Sequence, residues 1–210
     1  MEHGKDKYKY EKIYHKKGKL LKVREGVAHE KSWDEANDNF KKLWEKYGSG
    51  DGNYKDEVKS ILNLKATSIL DVGCGWNSFI KKMKPHVEKA IGVDFACPGA
   101  DMIASAHNLP FDKKSFDLIT SWDCMEHIPE EEVPMVIEEF SRVANRVYLK
   151  ITTAPSATKI DGEELHVCVK DPDWWNKQIE KHFNIEKSQF NKNINKPAKN
   201  NLIVYAVSKN

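Results

Sequence analysis

The sequence predicts an α/β fold: a doubly wound sheet, mostly parallel, that closes with an antiparallel strand pair at its carboxyl end. Three observations lead there. Strand-like and helix-like segments alternate from Ser68 onward. The strand-like runs are short and almost wholly apolar, as expected of strands covered on both faces. The first of them runs straight into a glycine turn, in the stretch SILDVGCGWNSF at residues 68–79.

Taken in order, IYHKKGKLLKV suggests a hairpin turning near Gly18. In SWDEANDNFKKLWEKYG, Ser32 and Glu35 have capping-box spacing, and Trp33, Ala36, Phe40, Leu43, Trp44 and Tyr47 recur at helical intervals. GSGDGN breaks the chain, and YKDEVKSILNL is a second short helix leading into the first strand. Strands are then expected at Ile69–Val72, Ala90–Val93, Met102–Ala104, Asp117–Thr120 and Val147–Ile151. Helices are expected at Ser78–Met83, ahead of Pro85, and in PEEEVPMVIEEFSRV, with Pro129 and an acidic first turn at its start. DPDWWNKQIEKHF is a helix entered through Asp171 and Pro172, with Trp174 and Trp175 packing on the sheet, and NIEKSQF and NLIVYAVS supply the last strands. Residues 1–60 form an N-terminal extension and residues 61–210 the main α/β domain under this division.

Composition narrows the classes. A chain of 210 residues, 40% hydrophobic, supports one substantial core but not two. No apolar run approaches the roughly 20 residues of a membrane span, and the lysine-rich start resembles no secretory signal, so a cytoplasmic protein is expected. Cys74, Cys97, Cys124 and Cys168 form no CxxC pair and are expected as free thiols. A net charge of +2 gives no global reason to expect nucleic acid. Lysines 5, 7, 9, 12, 16, 17, 19 and 22 with Arg24 crowd the amino end; they are expected as a solvated basic face, or else as attraction for an anionic acceptor.

The glycine turn raises the question of its ligand. A dinucleotide site asks for G-x-G-x-x-G after the strand, but Gly73, Cys74, Gly75, Trp76, Asn77 and Ser78 put serine at the third position. Asp71, just before the glycines, would repel a pyrophosphate. A cationic, phosphate-free ligand suits the loop better.

With hydrophobic-Asp-hydrophobic-Gly-x-Gly at residues 70–75, AIGVDF at 90–95, DMIASAHNLPFDKKSFDLI at 101–119 and SWDCMEHIPEEE at 121–132, the chain resembles the class I S-adenosylmethionine-dependent methyltransferases. The resemblance runs from about Ser68 to the carboxyl end and implies a Rossmann-like fold with S-adenosyl-L-methionine as cofactor. It implies that Asp71, Gly73, Cys74 and Gly75 face the amino-acid end of the cofactor, that Asp94 takes the ribose hydroxyls, and that Phe95 lies beside the adenine. Ser105 stands where the family often has an aspartate toward the adenine amino group, so backbone groups of Ala106 and His107 are expected to help there. Ser121 completes the cofactor set. The short link from Asp94 to Asp101 implies that the usual helix between these strands is shortened or lost.

For the chemistry, the candidates are Asp123, His127 and His166, since imidazole titrates near neutral pH and can take a proton from a hydroxyl acceptor. The expected reaction is methyl transfer to an oxygen or nitrogen of a small-molecule or sugar-like acceptor, without a metal. Two other readings stand beside it. Asp123, Glu126, His127 and His166 resemble the acid-x-x-Glu-His plus distal His set of magnesium-dependent small-RNA 2'-O-methyltransferases, with aspartate replacing their first glutamate; a non-catalytic binding protein that keeps the fold is the other. Glu126 and His127 also have a plain structural role open to them, favouring and capping the start of the helix near Pro129.

Overall fold

The computed structural model describes residues 53–209 except 96, 98, 157, 158, 161, 162, 165, 197 and 198. The hairpin near Gly18, the helix from Ser32, and with them Trp33, Trp44 and Tyr47, lie outside the described residues.

The apolar runs become strands β1 (Ser68–Val72), β2 (Lys89–Asp94), β3 (Met102–Ile103), β4 (Phe116–Trp122) and β5 (Ala144–Thr152). They are mutually parallel, in the order β3-β2-β1-β4-β5. The sheet continues antiparallel through β9 (Asn201–Ser208) to the edge strand β8 (Phe183–Asn191), making seven strands. Two short strands, β6 (Lys159–Ile160) and β7 (Glu163–Glu164), pair separately in the loop after β5. β1, β4 and β5 are buried along nearly their whole length, while β8 is exposed at most positions and mostly polar, which suits an edge.

Because successive side chains in a strand point to opposite faces, each central strand feeds two cores. Leu70, Ile119, Val147 and Leu149 meet helix α3 (Val133–Val143) through Val136, Ile137 and Phe140, and α4 (Pro172–Ile179) through Trp175 and Ile179. Ile69, Leu118, Tyr148 and Ile203 meet α1 (Val58–Asn63) and α2 (Ser78–Met83) on the other face, where Tyr54, Phe79 and Trp122 stack edge to face or tilted. Trp175 is fully buried and Trp174 packs against the same core, the role expected of the pair.

Several boundaries differ from expectation, three of them for reasons visible in the structure. Helix α3 starts at Val133 rather than near Pro129, because Pro134 occupies its first turn and residues 129–132 close a turn of their own, Glu132 N and Val133 N both donating to the Pro129 carbonyl at 2.9 and 3.2 Å. Helix α4 stops at Ile179, four residues before the expected Phe183, which opens β8 instead. Strand β3 ends at Ile103, as Ser105 turns back to bridge Asn108. Between β2 and β3 the described residues contain no helix, in line with the short link.

The strand order reverses between β1 and β4. At that switch point the crossovers leave the sheet on opposite faces and open a crevice outside the carboxyl ends of the strands.

Candidate functional site

The loop after β1 is built around two backbone positions that L side chains avoid: Gly73 has φ +75° and Gly75 φ +53°. Its amides are used internally. Gly73 N and Cys74 N both donate to the Val93 carbonyl at 2.9 and 3.1 Å, Gly75 N donates to Asp94 Oδ2 at 3.1 Å, and Asn77 N returns to the Cys74 carbonyl at 2.9 Å. A phosphate cradle needs those N–H groups turned toward the ligand. Here they hold the loop to β2.

Two carboxylates stand at the same end of the sheet. Asp71, 1% exposed, accepts from the Thr120 hydroxyl at 2.6 Å, which fixes it between β1 and β4. Asp94, at the end of β2, accepts from Gly75 N through Oδ2 and from Cys97 N at 2.8 Å through Oδ1. The neighbouring thiols register the field. Burial first, and then the charge of Asp94, push the Cys74 and Cys124 thiols far above their ordinary range. All four cysteines are free thiols.

The remaining residues expected around the cofactor fall on the same rim. Phe95 is half-buried just after Asp94. Ser105, Ala106 and His107 form a turn after β3 in which the Ser105 hydroxyl lies 3.0 Å from His107 Nδ1 and His107 Nε2 lies 2.8 Å from Glu132 Oε2. That turn is held to α3, because Glu139 accepts from Leu109 N and Arg142 donates to the Leu109 and Phe111 carbonyls. Ser121 is fully buried and its hydroxyl donates to the Val72 carbonyl at 2.9 Å, tying β4 to the root of the glycine loop.

Beyond β4 the chain makes a left-handed step at Asp123, φ +48°, whose amide donates to Lys150. The Asp123 carboxylate is held from two sides, by the Thr152 hydroxyl at 3.0 Å and by Asn53 N at 3.1 Å. Lys150 in turn donates to the Asn53 carbonyl at 2.8 Å. The chain entering the domain is therefore fastened over the ends of β4 and β5.

A short 3-10 turn at Met125–His127 follows. Glu126 does not sit at the start of α3, as its capping role would require; it is 0% exposed, and its carbonyl accepts from Val167 N and Cys168 N at 3.0 Å each. Its side-chain oxygens meet no well-aligned donor, only its own amide and the Thr152 amide and hydroxyl as weak ones, and burial followed by the charge of Asp123 raises its pKa well above the usual carboxyl range. The bonds to Val167 and Cys168 bring the loop after β5 back across the sheet, so that the rings of His127 and His166 meet edge to face with centroids 4.9 Å apart. His166 Nδ1 lies 2.6 Å from the Ala154 carbonyl. Of the expected set, Glu126, His127 and His166 come together, while Asp123 is engaged with Thr152 and Asn53.

Thr120, Thr152, Asn53 and Lys150 were not singled out from the sequence. Hydroxyls near the carboxyl ends of otherwise apolar strands, as in LITSW and LKITT, were the available signal for the threonines; nothing local marked Asn53.

The family of the methyltransferase domain matches residues 36–185, well over half of the chain. The chain belongs to this methyltransferase family. It is an enzyme, and its methyl donor is S-adenosylmethionine. No curated protein matches the sequence. Solved structures share its fold at low identity. A 1,6-didemethyltoxoflavin N1-methyltransferase from Burkholderia thailandensis, with that compound and S-adenosylhomocysteine bound, aligns at a TM-score of 0.58 and 15% identity, covering 90% of this chain and 94% of its own. The N-methyltransferase NodS from Bradyrhizobium japonicum, with S-adenosylhomocysteine, aligns at 0.55 and 13%, covering 76% and 90%. A Haemonchus contortus phosphoethanolamine N-methyltransferase aligns at 0.62 and 12%, covering 83% of this chain and 58% of its own. Among the described residues, no helix is long and apolar enough to cross a membrane.

Proposed function

We propose that the protein transfers the methyl group of S-adenosylmethionine to an oxygen or nitrogen of a small-molecule acceptor. The observation that carries the cofactor half is the loop whose amides are spent internally while Asp71 and Asp94 leave the crevice negative. A sulfonium with an ammonium and no phosphate is the ligand such a loop accommodates. In this reading Asp71, Gly73, Cys74, Gly75 and the Ser121 that braces them receive the amino-acid end. Asp94, at the carboxyl end of β2, takes the ribose hydroxyls, and Phe95, Ser105, Ala106 and His107 line the adenine.

When bound, the cofactor supplies a methyl already activated by positive sulfur. The chain's own task is alignment: holding an acceptor atom in line with methyl and sulfur at near-attack distance. The acceptor would enter at the end of β4, near Asp123, between the chain fastened at Asn53 and the loop fastened at Glu126. Enclosure from both sides favours a small acceptor over a polymer. Neighbours of the same fold that act on a toxoflavin precursor or carry a bound phosphomonomethylethanolamine lean the same way. Asp123, His127 and His166 are the groups placed to take a proton from a hydroxyl or ammonium acceptor; with Nδ1 of His166 donating to Ala154, its Nε2 is the basic atom. Residues 1–60 are an extension over the acceptor side in this reading, and 61–210 the cofactor-binding domain.

The test is transfer of labelled methyl from S-adenosylmethionine by the full chain to separate panels of small amines, small hydroxyl compounds and short RNAs. Label in a small compound is the expected result. Label confined to the RNA panel would replace the acceptor assignment, and cofactor binding without transfer to any panel would favour a binding role.

A further inference from the structure

We infer that Glu132 and His107 are positioning residues that fix the Ser105 hydroxyl as a hydrogen-bond acceptor for the adenine amino group of S-adenosylmethionine. The inference rests on the adenine placement proposed above. It adds Glu132, at the entry of α3, to the residues that decide which base the site accepts.

Two contacts join these side chains. The Ser105 hydroxyl oxygen lies 3.0 Å from His107 Nδ1, and His107 Nε2 lies 2.8 Å from Glu132 Oε2. Glu132 is the N-cap residue of α3, yet its side chain caps none of that helix's amides and reaches the imidazole instead. The His107 and Glu132 side chains are only 13% and 15% exposed, so water competes little for the pair. A carboxylate accepts and does not donate. It therefore places the ring proton on Nε2, and Nδ1 of the neutral ring is left as the acceptor. The Ser105 hydroxyl proton is directed to Nδ1, and the same oxygen then meets an outside polar group only as an acceptor. The His107 amide approaches that oxygen at 3.4 Å, too long to compete strongly.

The position suits the base. Asp94 pairs with Ile103, and Ala104 N donates to the Asp94 carbonyl at 3.0 Å. Ser105 thus stands half-buried one strand further out than the carboxylate assigned to the ribose, on the side toward which a nucleoside held there extends its base. An adenine amino group is a donor, which an acceptor-only oxygen receives. An oxo group at the same place presents a second acceptor and is rejected. A serine hydroxyl left to rotate suits either partner and separates them poorly. His107 and Glu132 remove that freedom, and give a serine the selectivity of the aspartate that the family often carries there.

The experiment measures, by calorimetry on the full chain, binding of S-adenosylhomocysteine and of S-inosylhomocysteine, in which oxo replaces the adenine amino group. The parent should prefer the adenosyl compound at least about 10-fold. E132Q keeps the side-chain shape but can donate as well as accept, and H107A removes the ring; each should lower that preference at least about threefold. Adding S105D to H107A should restore it, since a carboxylate accepts without an orienting partner. D94N, at the ribose, should weaken both compounds alike and leave the ratio as it is. No preference in the parent, a parental ratio in E132Q and H107A whatever their affinity, or an unrestored ratio in S105D/H107A would each overturn the relay. Failure of the parent to bind S-adenosylhomocysteine, or parental affinity in D94N, would overturn the cofactor placement beneath it and the relay with it.

Discussion

Replacing Gly73 by alanine puts a methyl group where the structure has a thiol. An ideal Cβ at Gly73 would lie 2.3 Å from the Cys124 sulfur and 2.8 Å from its Cβ, and the backbone there has φ +75°. Left-handed backbone costs an L residue roughly 1–2 kcal/mol. Overpacking against a buried neighbour adds roughly 1–3 kcal/mol. G73A should therefore lose about 2–5 kcal/mol of stability, or roughly 4–20 °C of melting temperature for a chain of this size. The two contributions separate in a double-mutant cycle. C124A removes the closer of the two contacts, so G73A should cost at least about 1 kcal/mol less in that background. Urea and thermal unfolding followed by circular dichroism read the four proteins. Equal losses in both backgrounds, or a G73A protein as stable as the parent, would refute the packing argument. The cycle also bears on the site: the glycine motif is held by Cys124 as well as by any ligand, so loss of cofactor binding in a Gly73 variant has meaning only beside its folding.

Asp117 accepts from Thr67 N, the Thr67 hydroxyl and Ser68 N, and chiefly the hydroxyl holds its pKa below the ordinary 3.8. A folded pKa below the unfolded one gives stability that is present above about pH 3.8 and lost as pH falls through the folded value. D117N should flatten that acid limb and lower neutral-pH stability by about 1 kcal/mol in urea melts; an unchanged acid limb would remove the assignment. Asp171 caps α4 through Trp174 N at 2.8 Å, so D171A should cost about 1 kcal/mol by the same assay, and no loss would mean the cap is idle. Deleting residues before Ser32 should impair transfer much more than cofactor binding; matched losses in calorimetry and turnover would make that segment part of the cofactor site.

What the sequence could reveal follows from range. Apolar runs such as SILDV and FDLITSW identified themselves because strands covered on both faces carry no polar alternation, and Asp71, Gly73 and Gly75 were legible because their constraint is local. The start of α3 was misplaced because two prolines, Pro129 and Pro134, both fit a first helical turn, and only the closed turn at 129–132 decides between them. Glu126 looked like a helix-terminal acid in linear order. Its carbonyl is bonded by a loop that returns at Val167 and Cys168, a contact between distant parts of the chain that no local pattern encodes. Asp123 joins Glu126, His127 and His166 only through the resemblance to the small-RNA 2'-O-methyltransferase pattern; its partners Thr152 and Asn53 come from the next strand and from the entering chain, which no local pattern shows.

The central claim is that the acidic, amide-poor crevice at the ends of β1 and β2 takes S-adenosylmethionine, and calorimetry of the full chain with this cofactor, beside NADH, tests it most directly. The account predicts one site for S-adenosylmethionine, weakened about 10-fold or more in D94N as a hydrogen bond to a charged group is lost, and no site for NADH. Binding of NADH in place of S-adenosylmethionine, or parental affinity in a folded D94N protein, would contradict it.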